Sequence, residues 1–120
     1  MKRMPKTANC PTEFAMELLG GKWATVILAR LKEEGPLRYR DLRRLIPKLT
    51  EKVLTQRLDD LQARGLVARS KAAGDGSRYA LTAEARALRP ALEHLYAWGE
   101  EQARRFGVTL DNLVGEEAEA

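Results

Sequence analysis

The chain has 120 residues, 44% hydrophobic and 32% charged, a length that supports one buried core and leaves no room for a second. No apolar run approaches the roughly 20 residues of a membrane span, and the basic start "MKRMPKTANC" has no apolar block behind it to make a secretory signal. The single cysteine excludes an internal disulfide and offers no metal-ligand cluster. The net charge of +4 is unevenly placed: residues 37–78 carry 11 Lys/Arg against 5 Asp/Glu, whereas residues 79–120 carry 4 against 8. Such a basic middle block attracts polyanions, and nucleic acid is the commonest of these in the cytoplasm, where the protein is expected.

In chain order, residues 1–9 read as a flexible basic tail. "CPTEFAMELLGG" is predicted to be a short helix with Pro11 in its first turn, Phe14, Leu18 and Leu19 on one side, and Gly20-Gly21 as its stop. "KWATVILARLKEEG" reads as a second helix, apolar at Trp23, Val26, Ile27 and Leu31. "RYRDLRRLI" is a third, and "PKLT" a tight turn into a fourth that Thr50 caps and Gly65 ends. "LVARSK" and "SRYALT", joined by the glycine-containing "AAGDG", read as a two-stranded hairpin. Thr82 then caps a long helix to about Phe106, with Leu88, Leu92, Leu95 and Trp98 on one stripe and Pro90 expected to kink or split it. Residues 108–120 are acidic and small, as in a frayed tail.

Helix, short helix, tight turn, helix and hairpin is the order of a winged helix-turn-helix. The expected fold is therefore mainly α with a small two-stranded β-wing. At about 100° per residue, Leu54, Leu58 and Leu61 share one side of the fourth helix. Lys52, Gln56 and Asp59 fall nearly opposite, with Thr55 beside them. The N-terminal end of such a helix commonly points into the DNA major groove. There glutamine can pair with adenine, threonine can touch a thymine methyl, and lysine can reach guanine or phosphate. Lys52, Thr55 and Gln56 are thus the candidate base readers. Arg38, Arg40, Arg43, Thr50, Lys71 and Arg78 are candidate phosphate or wing contacts. Arg57, nearer the buried stripe, suits either a phosphate contact or a structural ion pair. Asp59 fits this face poorly, because its charge repels phosphate unless it is paired.

The same residues carry a resemblance. "CP" at Cys10-Pro11, "LLGGKW" at Leu18 to Trp23, "RYRDLRRLIP" at Arg38 to Pro47 and "KVLTQRLDDLQARGLV" at Lys52 to Val67 occur in order. "YALT" at Tyr79 to Thr82 and the closing "LRPAL" and "WG" follow. Together they resemble the HxlR-type winged-helix transcriptional regulators of bacteria, similar in fold to the MarR type, over residues 10–107. Three departures from that pattern are Arg40, where a serine usually caps the helix, Arg78, where the second wing strand often has a glutamate, and the tip "AAGDG", which lacks the prolines common there. The resemblance implies a homodimer that binds double-stranded DNA at an operator of near two-fold symmetry.

Phe14, Trp23, Leu92, Leu95 and Trp98 exceed what one small domain must bury, so the first and last helices are expected to form the dimer contact. Cys10 lies at a helix N-terminus, where free N–H groups and the helix dipole favour negative charge. The resemblance makes it a candidate sensor of oxidants or electrophiles, set against a purely structural role beside the dimer contact. Any effector could equally be a small molecule. "GGKW" lacks the spacing of a phosphate-binding loop, and His94 has neither a nucleophile nor a metal cluster near it in sequence. No catalytic residue, cofactor or metal site is expected, and the protein is read as no enzyme. A winged-helix protein-interaction module without specific DNA binding is the competing class.

Overall fold

The computed structural model describes residues 4–71 and 76–111. Helix α1 spans Pro11–Leu19, α2 Ala24–Glu34, α3 Tyr39–Leu45 and α4 Glu51–Ala63. Strands β1 (Val67–Arg69) and β2 (Tyr79–Leu81) follow, then α5 (Ala83–Arg86) and α6 (Arg89–Phe106). The strands are antiparallel, with Val67 opposite Leu81 and Arg69 opposite Tyr79. This is the mainly helical, two-stranded winged architecture expected. Leu37 adds a bridge that sequence periodicity does not reveal: it exchanges backbone hydrogen bonds of 3.0 and 2.7 Å with Tyr79. The expected hairpin tip falls largely on residues 72–75, and most of the acidic tail on 112–120, both outside the described residues.

The core lies where α2, α3 and α4 meet the sheet. Ile27, Leu28, Leu42, Ile46, Leu54, Leu58 and Leu61 are fully buried there. Thr50 caps α4 as expected, its hydroxyl accepting the Val53 N–H at 3.2 Å. Past the end of α4, Gly65 takes φ +77°, and Leu66 N–H returns to the Leu61 carbonyl at 2.9 Å. The Thr82 hydroxyl donates to Gly65 O and accepts the Ala85 N–H, so one side chain closes the wing and opens α5.

Local expectations are refined at three places. Trp23 is not on the stripe of α2 but precedes the helix, at φ +81°. Gly21 (φ +98°) and Trp23 together turn the chain between α1 and α2. The tryptophan's left-handed backbone costs roughly 1–2 kcal/mol, and its ring packs half-buried against the core. Of the two outcomes expected at Pro90, kink or split, the structure shows the split, into α5 and α6. Pro90 sits in the first turn of α6, where its missing N–H leaves no gap in the hydrogen bonding, and Leu88 stands at the junction rather than on a stripe. Arg40 is no cap either, because the residue before α3 is Arg38. The Arg38 N–H donates to the buried Asp41 carboxylate at 3.1 Å, the reach-back half of a capping box, supplied by the acid three residues on.

Candidate nucleic-acid interface

Helix α4 presents four sides, and its polar residues divide among three of them. The leucines face the core. Lys52, Gln56 and Asp59 are exposed on the far side and make no hydrogen bond or ion pair among the described residues. Thr55 belongs to a neighbouring side. Its hydroxyl lies 3.0 Å from the Tyr39 hydroxyl, which donates to the Glu51 carbonyl at 3.1 Å. Tyr39 thereby ties the start of α3 to the first turns of α4. Thr55 as a residue remains exposed. The fourth side carries Arg57, whose Nε–H donates to the Lys22 carbonyl at 3.0 Å and whose Nη1 lies 3.6 Å from Asp60. Of its two candidate roles, the structure displays the structural one.

The arginines around α3 also divide. Arg40 is exposed and unengaged among the described residues. Arg43 donates to the Leu49 carbonyl at 3.2 Å and so braces the turn between α3 and α4. Arg38 and Arg44 both pair with Asp41, each at 3.2 Å. The N–H of Arg38, followed by the side chains and charges of the two arginines, holds the Asp41 carboxyl below its ordinary value against a counter-push from burial. The wing contributes an exposed Lys71 and a half-buried Arg78 whose N–H donates to Ser70 Oγ. Arg69 bonds Ser77 and lies over the Tyr79 ring at 5.4 Å. Lys52, Gln56, Arg40 and Lys71 are thus available to an external partner, while Arg38, Arg43 and Arg57 hold the scaffold that carries them.

Sequence reasoning missed Tyr39, Asp41 and Arg64. Asp41 had a readable signal, as the only acid in a run of arginines three residues after Arg38. Tyr39 and Arg64 act across the chain and left none. Cys10 caps α1, its Sγ accepting the Glu13 N–H at 3.4 Å, and is exposed. Phe14 on α1 and Leu95 and Trp98 on α6 stay 37%, 51% and 66% exposed. Leu92 is half-buried. No group of acidic, histidine or cysteine side chains among the described residues could hold a metal. No helix among them is long and apolar enough to cross a membrane.

The comparisons with known proteins agree with this geometry. The family pattern described as HxlR-like helix-turn-helix matches residues 18–106. The HTH-type transcriptional regulator YdeP of Bacillus subtilis (strain 168) is 35% identical over 100 residues, 82% of this chain and 77% of its own. YtcD, an HTH-type regulator of the same organism, is 37% identical over 111 residues, 90% of this chain and 87% of its own. A solved YtcD structure superposes with a TM-score of 0.72 at 36% identity, covering 79% of this chain and 98% of that one. The oxidized form of the redox regulator HypR gives 0.70 at 33%, covering 77% and 96%. The chain belongs to the HxlR family of helix-turn-helix transcriptional regulators, a family of regulators and not of enzymes.

Proposed function

We propose that this regulator reads a near-palindromic operator in double-stranded DNA as a homodimer, with the exposed face of α4 in the major groove and the wing on the flanking phosphates. The observation that carries the reading is the division of α4. Its leucines are buried, yet Lys52 and Gln56 are held at the surface with no partner among the described residues. Lys52 and Gln56 supply the base contacts with the Thr55 methyl, and Arg40 and Lys71 supply phosphate contacts. Thr50 and Arg78 are further candidate phosphate contacts. Two copies would set their recognition helices about one DNA turn apart, ~34–36 Å. Pairing through α1 and α6 would cover Phe14, Leu95 and Trp98. Selection from a random duplex pool tests this. The wild-type chain enriches a defined sequence, and Gln56→Ala loses roughly 1–3 kcal/mol of affinity for it, with relaxed choice at one position. A wild-type chain that enriches nothing at low salt belongs instead to the protein-interaction class.

A response to oxidants through Cys10 is the second reading, favoured by the exposure of its thiol and the likeness to a protein named as a redox regulator. With one cysteine in the sequence, a disulfide must join two chains or capture a small thiol. A Cys10→Ser chain whose DNA binding still responds to diamide contradicts this reading.

A further inference from the structure

The pair "GG" in "LLGGKW" has a specific use in the structure. Helix α1 buries none of its residues and has no basic side chain in its last turn, so its terminal carbonyls and negative dipole end need partners from elsewhere. Helix α4 supplies them. Arg64 Nη1 donates to the carbonyls of Leu18 and Gly20 at 3.1 and 3.3 Å, and Arg57 Nε donates to that of Lys22 at 3.0 Å. The two arginines are seven residues apart, two helical turns, and therefore lie on one side of α4. The chain beneath them must be glycine at Gly21. Its φ is +98°, and a Cβ there would meet Arg57 Nε at 3.3 Å. Between the helices lies a cavity of about 540 Å³, bordered by Met16, Glu17, Gln56 and Asp60. Two α4 side chains thus make polar ties to the end of α1 and the turn after it, beside the packing of Leu19 against the core.

We propose that Arg57 and Arg64 are positioning residues for operator reading. They clamp the recognition helix to the end of α1, so that the placement of α1 sets the placement of Lys52 and Gln56. The clamp side of α4 adjoins its exposed reading side, and Gln56 itself borders the cavity that the clamp spans. This inference rests on the DNA-reading role proposed above.

The test compares the wild-type chain, Arg57→Gln, and the double variant Arg57→Gln/Arg64→Gln by two readouts. The first is affinity for the selected duplex and for an unrelated one across salt concentrations. The second is amide hydrogen exchange in α1. In the double variant, affinity for the selected duplex is expected to fall about tenfold, within the range for residues acting through a contact network. Affinity for the unrelated duplex and the salt slope stay unchanged, and α1 amides exchange faster. Arg57→Gln alone keeps both Arg64 bonds and shows the same signs at smaller size, which keeps the test open if the double variant does not fold. A salt slope that drops by about 0.9 per arginine makes these side chains phosphate ligands and overturns the proposal. So does unchanged affinity, or unchanged α1 exchange in a chain that selects DNA. A wild-type chain that selects no duplex removes the DNA-reading role and the positioning role with it, while α1 exchange still reports on the clamp itself.

Discussion

Helices α4 and α6 carry the same kind of pattern and meet opposite fates. Each has an apolar stripe at helical spacing. Helix α4 buries all three of its leucines, whereas α6 buries only Ala103 and leaves Leu95 and Trp98 exposed. The difference lies in what stands opposite. The α4 stripe joins the core formed with α2, α3 and the sheet, whereas Leu92 and Leu95 of α6 border an open cavity against the outer side of α2, at Val26 and Ala29. A stripe therefore states that a face should be covered, and only the fold decides whether the cover comes from the same chain.

The sharpest way to break this comparison is to truncate one residue from each stripe. Leu58→Ala should cost about 2–5 kcal/mol of stability in denaturant, as for a fully buried leucine. Trp98→Ala should cost the monomer under about 1 kcal/mol and instead weaken self-association measured by sedimentation. Equal losses of stability at concentrations where the chain is monomeric would place Trp98 in the core and remove the proposed dimer face.

A smaller effect separates the scaffold around α3 from the face it supports. Asp41 is held below the ordinary carboxyl value of 3.8 by the Arg38 N–H and the two flanking arginines. Its contribution to stability is therefore complete above that value and drains away as pH falls through the lowered folded one. Asp41→Asn should lower the melting temperature at pH 7, and the gap to wild type should narrow as the solution is acidified below about pH 4. A gap that widens with acid would show the carboxylate to be destabilising where it sits. Binding to the selected duplex by the folded Asp41→Asn chain should change little, because Lys52 and Gln56 lie elsewhere on the scaffold.

What the sequence disclosed and what it withheld divide along the same physical line. Local rules located α1 to α4, the Thr50 cap, the Gly65 stop and the hairpin, because propensity, capping and periodicity act within a few residues. The break at Pro90 was readable for the same reason. The left-handed backbone of Trp23 was not, since a tryptophan next to "GGK" fits a helical stripe equally well. Nor were the ties that shape the site. Arg57 reaches a carbonyl 35 residues away, and Arg64 one 46 residues away. Tyr39 meets Thr55 across 16 residues. No spacing rule sees such pairs, so the polar residues of α4 divide in the structure into an exposed side, a Tyr39-bonded side and a side tied to the α1–α2 turn. Asp59 stays on the reading side without a partner among the described residues, where a cytosine amino group would suit it better than a phosphate.

The measurement that tests the central claim most directly is operator spacing. If two chains read the selected duplex through paired α4 helices, its two half-sites lie about one turn, 10–10.5 base pairs, apart. Inserting about five base pairs, half a turn, turns one half-site to the opposite face of the DNA. The account predicts that affinity then falls to that of a single half-site. Undiminished affinity for the lengthened duplex would contradict it.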